Sequence, residues 1–301
     1  MTGNDLTVHQ AVIAAQEGLK QLRANQMLAK RIRRDFDTEV ATFGKTITVP
    51  KYGAVSAHDK VPGASVTVQD LTSTSVSVVL NKHKEATWII EDVEKAFARD
   101  DVLAGYMQSS MKAVAEAVES DIFALYSGFS HSVGSAATAL TDATLALARK
   151  SLFDSRAPVD ENWTAVIASK DTNALLALDR FTTAEKVGGA TKLADGALGK
   201  IYNFNMFESQ LIPTTSAGSP AVLSTHNIAF HRDFAALVVR PLPEIPAGMG
   251  SVSAVVSDPE SGISVRVRMS YDTDRGGVKC TTEILYGVAE LRDELAVTIL
   301  T

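Results

Sequence analysis

Cysteine is almost missing: Cys280 stands alone in 301 residues, so no intrachain disulfide can form, and a reducing compartment is the natural setting. Aromatic residues are scarce, at 6%, and Ala and Val supply much of the apolar bulk. At 46% hydrophobic, the chain can still bury a real core. No window approaches the ~18 consecutive apolar residues of a membrane span. The opening MTGNDLTVHQ has neither the positive start nor the apolar centre of a signal peptide. An excess of positive charge is also lacking. The net charge of -6 and pI near 5.6 exclude a chain that binds nucleic acid electrostatically over its whole surface. The composition predicts a soluble protein made in the cytoplasm.

Signatures of chemistry are equally thin. The run 195–201, DGALGKI, brushes the phosphate-loop pattern through Gly199-Lys200, but Ala194 stands where glycine is required and Ile201 where Ser or Thr must hold magnesium. The six histidines are scattered, with no HExxH and no close carboxylate partner. GFSHS at 128–132 follows a predicted helix rather than a strand and lacks the second glycine of a nucleophile elbow. Asp272, Asp274, Gly277 and Glu283 fall at positions 1, 3, 6 and 12 of a calcium loop. Position 5 is Gly276 and the flanks alternate like strands, so DTDRGG reads as a hairpin turn. No catalytic residue, cofactor or metal is predicted, and the expectation is a protein that is not an enzyme.

What the chain does have is an unusual order of parts. Apolar residues recur at helical intervals over 5–36, and six basic residues with no acidic one lie between Lys20 and Arg34. That basic run is a solvated helix face or an arm meeting an acidic surface, composition favouring the former. Residues 43–84 form a long polar passage of short alternating runs, ITV, SVTV and SVSVVL, which predicts a two-stranded hairpin with little core of its own. From Leu103 apolar residues fall at Met107, Met111, Val114, Val118, Ile122 and Leu125, with Lys112, Glu116, Glu119 and Ser120 on other faces. The spacing predicts a helix of about 25 residues, ~38 Å long.

Thr141-Asp142 caps another helix, running to about Phe153, and AspThrAsnAlaLeuLeuAlaLeu predicts a short one after the buried-type strand at 163–169. Residues 182–199 are a glycine-rich loop. Strands are predicted at 202–207, 221–224, 235–240, 262–271 and 278–288, with 241–262, holding four of the nine prolines, mostly loop. The mixture is α+β, without the regular rhythm of a doubly wound sheet.

This order resembles the major capsid protein of tailed bacteriophages, with the Hong-Kong-97-type fold. The local marks are GKTITVP at 44–50, AEAVESDIF at 115–123, LGKIYNFNMFES at 198–209 followed by LIP, and LYGVAELR at 285–292. Asn203 departs from the glycine common there. The resemblance covers essentially the whole chain. It implies an N-terminal helical arm (1–38), an extended loop (39–87), a peripheral domain (88–140 and 229–280) with a spine helix over about 101–127, and an axial domain (141–228 and 281–301).

It also implies self-assembly into pentamers and hexamers of an icosahedral shell around phage double-stranded DNA, held without sequence-specific binding. The subunit-interface candidates are then Arg31, Arg33 and Arg34 in the arm, Lys45, Lys51, Tyr52 and Lys60 in the extended loop, and Gly188 and Gly189 in the axial loop. Some family members cross-link a loop lysine to a peripheral asparagine, but 229–280 holds no asparagine, so no such cross-link is expected. The expected partners are a portal, a separate scaffolding protein, since no charged helical prefix of ~100 residues precedes the arm, and decoration proteins in some cases. The expected location is the virion, with no membrane. An encapsulin-type cellular nanocompartment is the rival within the fold, and a soluble α+β enzyme or binding module with an unrecognised site is the rival from another class.

Overall fold

The computed structural model describes residues 27–35, 44–53, 55–93, 102–178, 199–217, 221–246, 250–258 and 262–301. Two sheets carry most of the described chain. In the first, β13 (Gly277–Glu290) sits at the centre. One side pairs with β3 (Lys82–Glu91), and the other with β12 (Ser264–Asp272) and then β10 (Ala235–Arg240), while β11 (Ser251–Ser257) lies outside β12. Every pairing is antiparallel.

Helix α1 (Val102–Phe123) crosses one face of this sheet. Because β-strand side chains alternate, Cys280, Thr282, Ile284 and Tyr286 all point to one side. There they meet Met107, Met111, Val114, Val118 and Ile122, the predicted stripe, all fully or almost fully buried. Ser110 and Thr282 satisfy each other inside this contact through a 3.0 Å hydroxyl pair. A short 3-10 turn, Ala124–Gly128, follows the helix.

The second sheet runs in the order β4-β14-β9-β5-β7-β6. Its strands are β4 (His131–Gly134), β5 (Trp163–Ile167), β6 (Lys200–Ile201), β7 (Phe204–Glu208), β9 (Val222–His231) and β14 (Ala296–Leu300), with β8 (Thr214–Ala217) added on β9. β5 is buried along its whole length, and Trp163 packs between Phe153 and Phe204 at 5.2 and 5.4 Å. Helix α2 (Asp142–Asp154) begins as expected, with the Thr141 hydroxyl accepting the Thr144 N–H at 3.3 Å. Helix α3 (Ser169–Leu176) starts two residues before the expected one.

Several expectations need correction. Residues 27–35 belong to no helix: they are turns with one bridge, Arg33 to Ala236. The rest of the helix expected over 5–36, apart from 27–35, lies outside the described residues. Tyr202 and Asn203 are not strand but the two-residue turn between β6 and β7, at φ +50° and +75°. Such a turn needs positive φ at both positions, which Asn tolerates better than most residues. β11 lies inside the proline-bearing stretch expected to be loop. The sheets also part the chain at other points than the expected domain limits: 131–134 join the second sheet, and 281–290 lie in the first.

Candidate assembly surfaces

The polar hairpin is built in two unlike halves. β1 (Thr46–Tyr52) pairs with β2 (Ser73–Val79) in full antiparallel register. Alternation puts Ile47, Val49 and Val78 on one face, and together with Leu80 they pack on Ala236, Val238 and Leu291. This is the side of β10 turned away from α1. Gly287 permits the approach, since a Cβ there would run into the Val79 carbonyl. The hairpin therefore has a small core at its root, which the sequence did not suggest.

Beyond Gly53 and Thr72 that support ends. Val55, Val61, Val66, Val68 and Leu71 are all exposed, Val68 at 83%. Order in the outer half comes from polar substitutes for strand pairing. The Gln69 side-chain amide accepts from the Ser56 N–H and donates to the Ser56 carbonyl. Lys60 donates to the carbonyls of Val61 and Ala64, so its charge is turned back onto the loop.

The other loop candidates are placed as follows. Tyr52 is 75% exposed at the end of β1. Lys45 is exposed at the opposite end, just before β1, its carbonyl accepting the Leu80 N–H at 2.8 Å. Lys51 reaches Glu294 at 3.3 Å and ties the hairpin to the segment between β13 and β14. Arg33 pairs with Asp35 at 2.8 Å and Arg34 is half-buried. Arg31 is half-buried, its guanidinium 3.6 Å above the Phe207 ring. Gly188 and Gly189 lie outside the described residues.

Sequence reasoning missed four acidic residues that organise these surfaces. Glu119, expected on an outer face of the helix, is 1% exposed. Its carboxylate accepts the N–H groups of Met27, Leu28 and Ala29 at 2.9 to 3.0 Å. Burial raises its pKa, opposed by those three bonds and by the charge of Arg31. Asp121 accepts from the Tyr286 hydroxyl at 2.5 Å and pairs with Lys82 and Lys84 at 3.0 and 3.5 Å. Glu290 packs against Gly128, and burial with the nearby charges of Asp293 and Glu294 pushes its pKa up to about 7. Glu294 is the partner of Lys51.

The calcium-like residues are separated. The Asp272 carboxylate accepts the N–H groups of Asp274 and Arg275, closing the turn between β12 and β13. Glu283 is buried inside the sheet, held by Arg266 at 2.8 Å and His83 at 3.2 Å. Among the described residues, no group of three or more His, Cys, Asp or Glu could hold a metal ion. No helix among them is long and apolar enough to cross a membrane.

Solved structures share this arrangement. One from Mycobacterium phage Che8 matches with a TM-score of 0.68 at 17% identity, over 91% of this chain and 90% of that one. The capsid structure of the cyanophage P-SCSP1u matches with a TM-score of 0.59 at 15% identity, over 85% and 83%. This is the Hong-Kong-97-type capsid fold. The same fold extends to a virus-like particle from Pyrococcus furiosus, with a TM-score of 0.54 at 10% identity over 94% of this chain and 96% of that one. No protein-family model matches the sequence, and no curated protein does.

Proposed function

We propose that this chain is a major capsid protein, forming the pentamers and hexamers of an icosahedral shell around the double-stranded DNA of a tailed phage. The observation that carries this reading is the divided hairpin. Its root is packed, whereas its outer half displays apolar side chains on a backbone with no core behind it. Such a segment gains burial when a neighbouring subunit supplies the other surface, and many repeated weak contacts add up across a shell.

In this reading α1 and the first sheet are the peripheral domain, and the second sheet with the 182–199 loop is the axial domain. Lys45, Tyr52 and the arm arginines then lie at subunit contacts, with Gly188 and Gly189 near the symmetry axes. Lys51 and Lys60 act within the subunit, setting the hairpin's direction and tip. The shell would be built with a separate scaffolding protein and a portal, with decoration proteins as further partners. An acidic shell leaves packaged DNA free to depart.

The likeness to the Pyrococcus furiosus virus-like particle favours a second reading, a cellular nanocompartment enclosing protein cargo. Electron microscopy of the purified protein, alone and co-expressed with a scaffold candidate, tests both. Closed particles with five- and six-fold capsomers, in which 53–72 becomes protected from protease, are the expected result. Particles filled with host protein and free of DNA shift the conclusion to the nanocompartment. A monodisperse monomer or dimer under every condition overturns the shell altogether.

A further inference from the structure

The turn at 27–33 touches the first sheet, the second sheet and α1 at once. On one side Arg33 extends the first sheet: its N–H donates to the Ala235 carbonyl at 3.1 Å, and its carbonyl accepts the Leu237 N–H at 3.0 Å. On another, Arg31 lies over Phe207 of β7 in the second sheet. Between them, Glu119 on α1 gathers three successive backbone N–H groups, and Leu28, Ala29 and Ile32 are fully buried. Arg31 also donates to the Met27 carbonyl at 2.9 Å, closing the turn on itself.

Elsewhere the described chain passes between the sheets at narrow places. These are the turn at Ala124–Gly128 leading to β4, the turn Arg232–Phe234 between β9 and β10, and Asp293–Leu295 between β13 and β14. Each is a single 3-10 turn, the kind of short connector that can act as a hinge. A strap fastened to both sheets and to the helix lying along them restricts any rotation about such hinges.

We propose that residues 27–33 form a releasable strap, anchored by the Glu119 carboxylate, that fixes the setting of the two sheets relative to one another. The anchor is concentrated in one side chain. A carboxylate offers acceptors only, which suits three converging donors. Remove it, and three N–H groups, two of them buried, lose their partner together, so the strap detaches as a unit rather than fraying. The inference concerns the single chain and stands whether or not the chain assembles.

The test uses Glu119→Gln in the full chain before assembly. The Gln amide keeps one acceptor oxygen, but its NH2 replaces the other, which serves either Leu28 alone or Met27 and Ala29 together, so amide exchange at Leu28 or at Ala29 accelerates by about tenfold or more. Paired spin labels at Glu91→Cys and Glu161→Cys, one beside each sheet, then report a broadened or shifted distance distribution. Unchanged exchange at 28 and 29 removes Glu119 as the anchor. Faster exchange with an unchanged distance shows a strap that does not set the sheets. Should Glu119→Gln fail to fold, Arg31→Ala keeps the anchor and removes the β7 contact. It is expected to leave 28 and 29 protected while broadening the distance, and an unchanged distance overturns the proposal.

Discussion

Tyr286 of β13 donates its hydroxyl to Asp121 of α1 at 2.5 Å, so the helix is fastened to the sheet by an ionised acceptor as well as by its apolar stripe. Burial, together with Asp121, pushes the Tyr286 hydroxyl far above its ordinary pKa, so it remains a donor. Burial would raise the Asp121 pKa, but the bonds from Tyr286 and Lys82 and the charges of Lys82 and Lys84 bring it below the usual carboxylate range. Tyr286→Phe should lower stability by about 1.5–3 kcal/mol, the worth of a hydrogen bond to a charged group. The folded-state pKa of Asp121 is depressed, so its contribution is present above the unfolded value of about 3.9 and lost as pH falls through the folded one. Chemical denaturation at neutral and acid pH should show the variant's deficit shrinking as the medium turns acid. A deficit independent of pH would mean the bond to Asp121 is not its source.

Glu290 gives the opposite slope. Its pKa of about 7 lies above the unfolded value, so its favourable contribution is complete below the unfolded pKa and disappears as pH rises through about 7. The melting temperature should therefore fall between about pH 4.5 and pH 7 and level off above, and Glu290→Gln should flatten that segment of the profile. An identical slope in the variant would assign the titration to another group.

The two halves of the hairpin should respond differently to substitution. Leu80 is 5% exposed in the root cluster, so Leu80→Ala should cost about 2–5 kcal/mol. Val68→Ser, at an 83% exposed site, should leave the unassembled chain within about 0.5 kcal/mol of the parent. If assembly depends on the outer half, Val68→Ser should nevertheless raise the protein concentration at which particles form. Equal effects of the two substitutions on unfolding would show that the outer half is packed within the chain.

Calcium should leave the melting temperature unchanged, because Glu283 already serves Arg266 and His83 inside the sheet. Glu283→Gln should be costly, about 3–5 kcal/mol, since it strands the Arg266 guanidinium, only 14% exposed, beside a neutral group. Thermal stabilisation by calcium that Asp272→Asn abolishes would restore the turn as a metal site.

Regular periodicity made much of this fold legible. The stripe from Met107 to Ile122 marked α1, and the alternation of 262–271 and 278–288 marked β12 and β13 to within two residues at either end. What stayed hidden was decided by partners distant in sequence. The arrest of the predicted helix at 27–35 depends on Glu119, some ninety residues away, taking the N–H groups of that segment. β4 is four residues long and gains its place through parallel pairing with β14. The root core of the hairpin was invisible because half of it comes from the outward face of β10 and from Leu291. Glu119 looked like a solvated charge because periodicity ranks residues by type, and only tertiary contact reveals a bound carboxylate.

The central place of β13 also sets a timetable for synthesis. β3 and β10 are both made before the strand that pairs with them, β3 roughly 190 residues before it. At a translation rate of about 5–20 residues per second, β3 waits on the order of 10–40 s with both edges open. During that interval its TWII segment is a ready template for pairing with another nascent chain, and α1 has no sheet to lie on. The first sheet therefore closes late, with only the β11–β12 hairpin able to pair before β13 emerges. Co-translational chaperoning matters most for this sheet, and a ribosome stalled anywhere before Gly277 releases a chain whose first sheet cannot close.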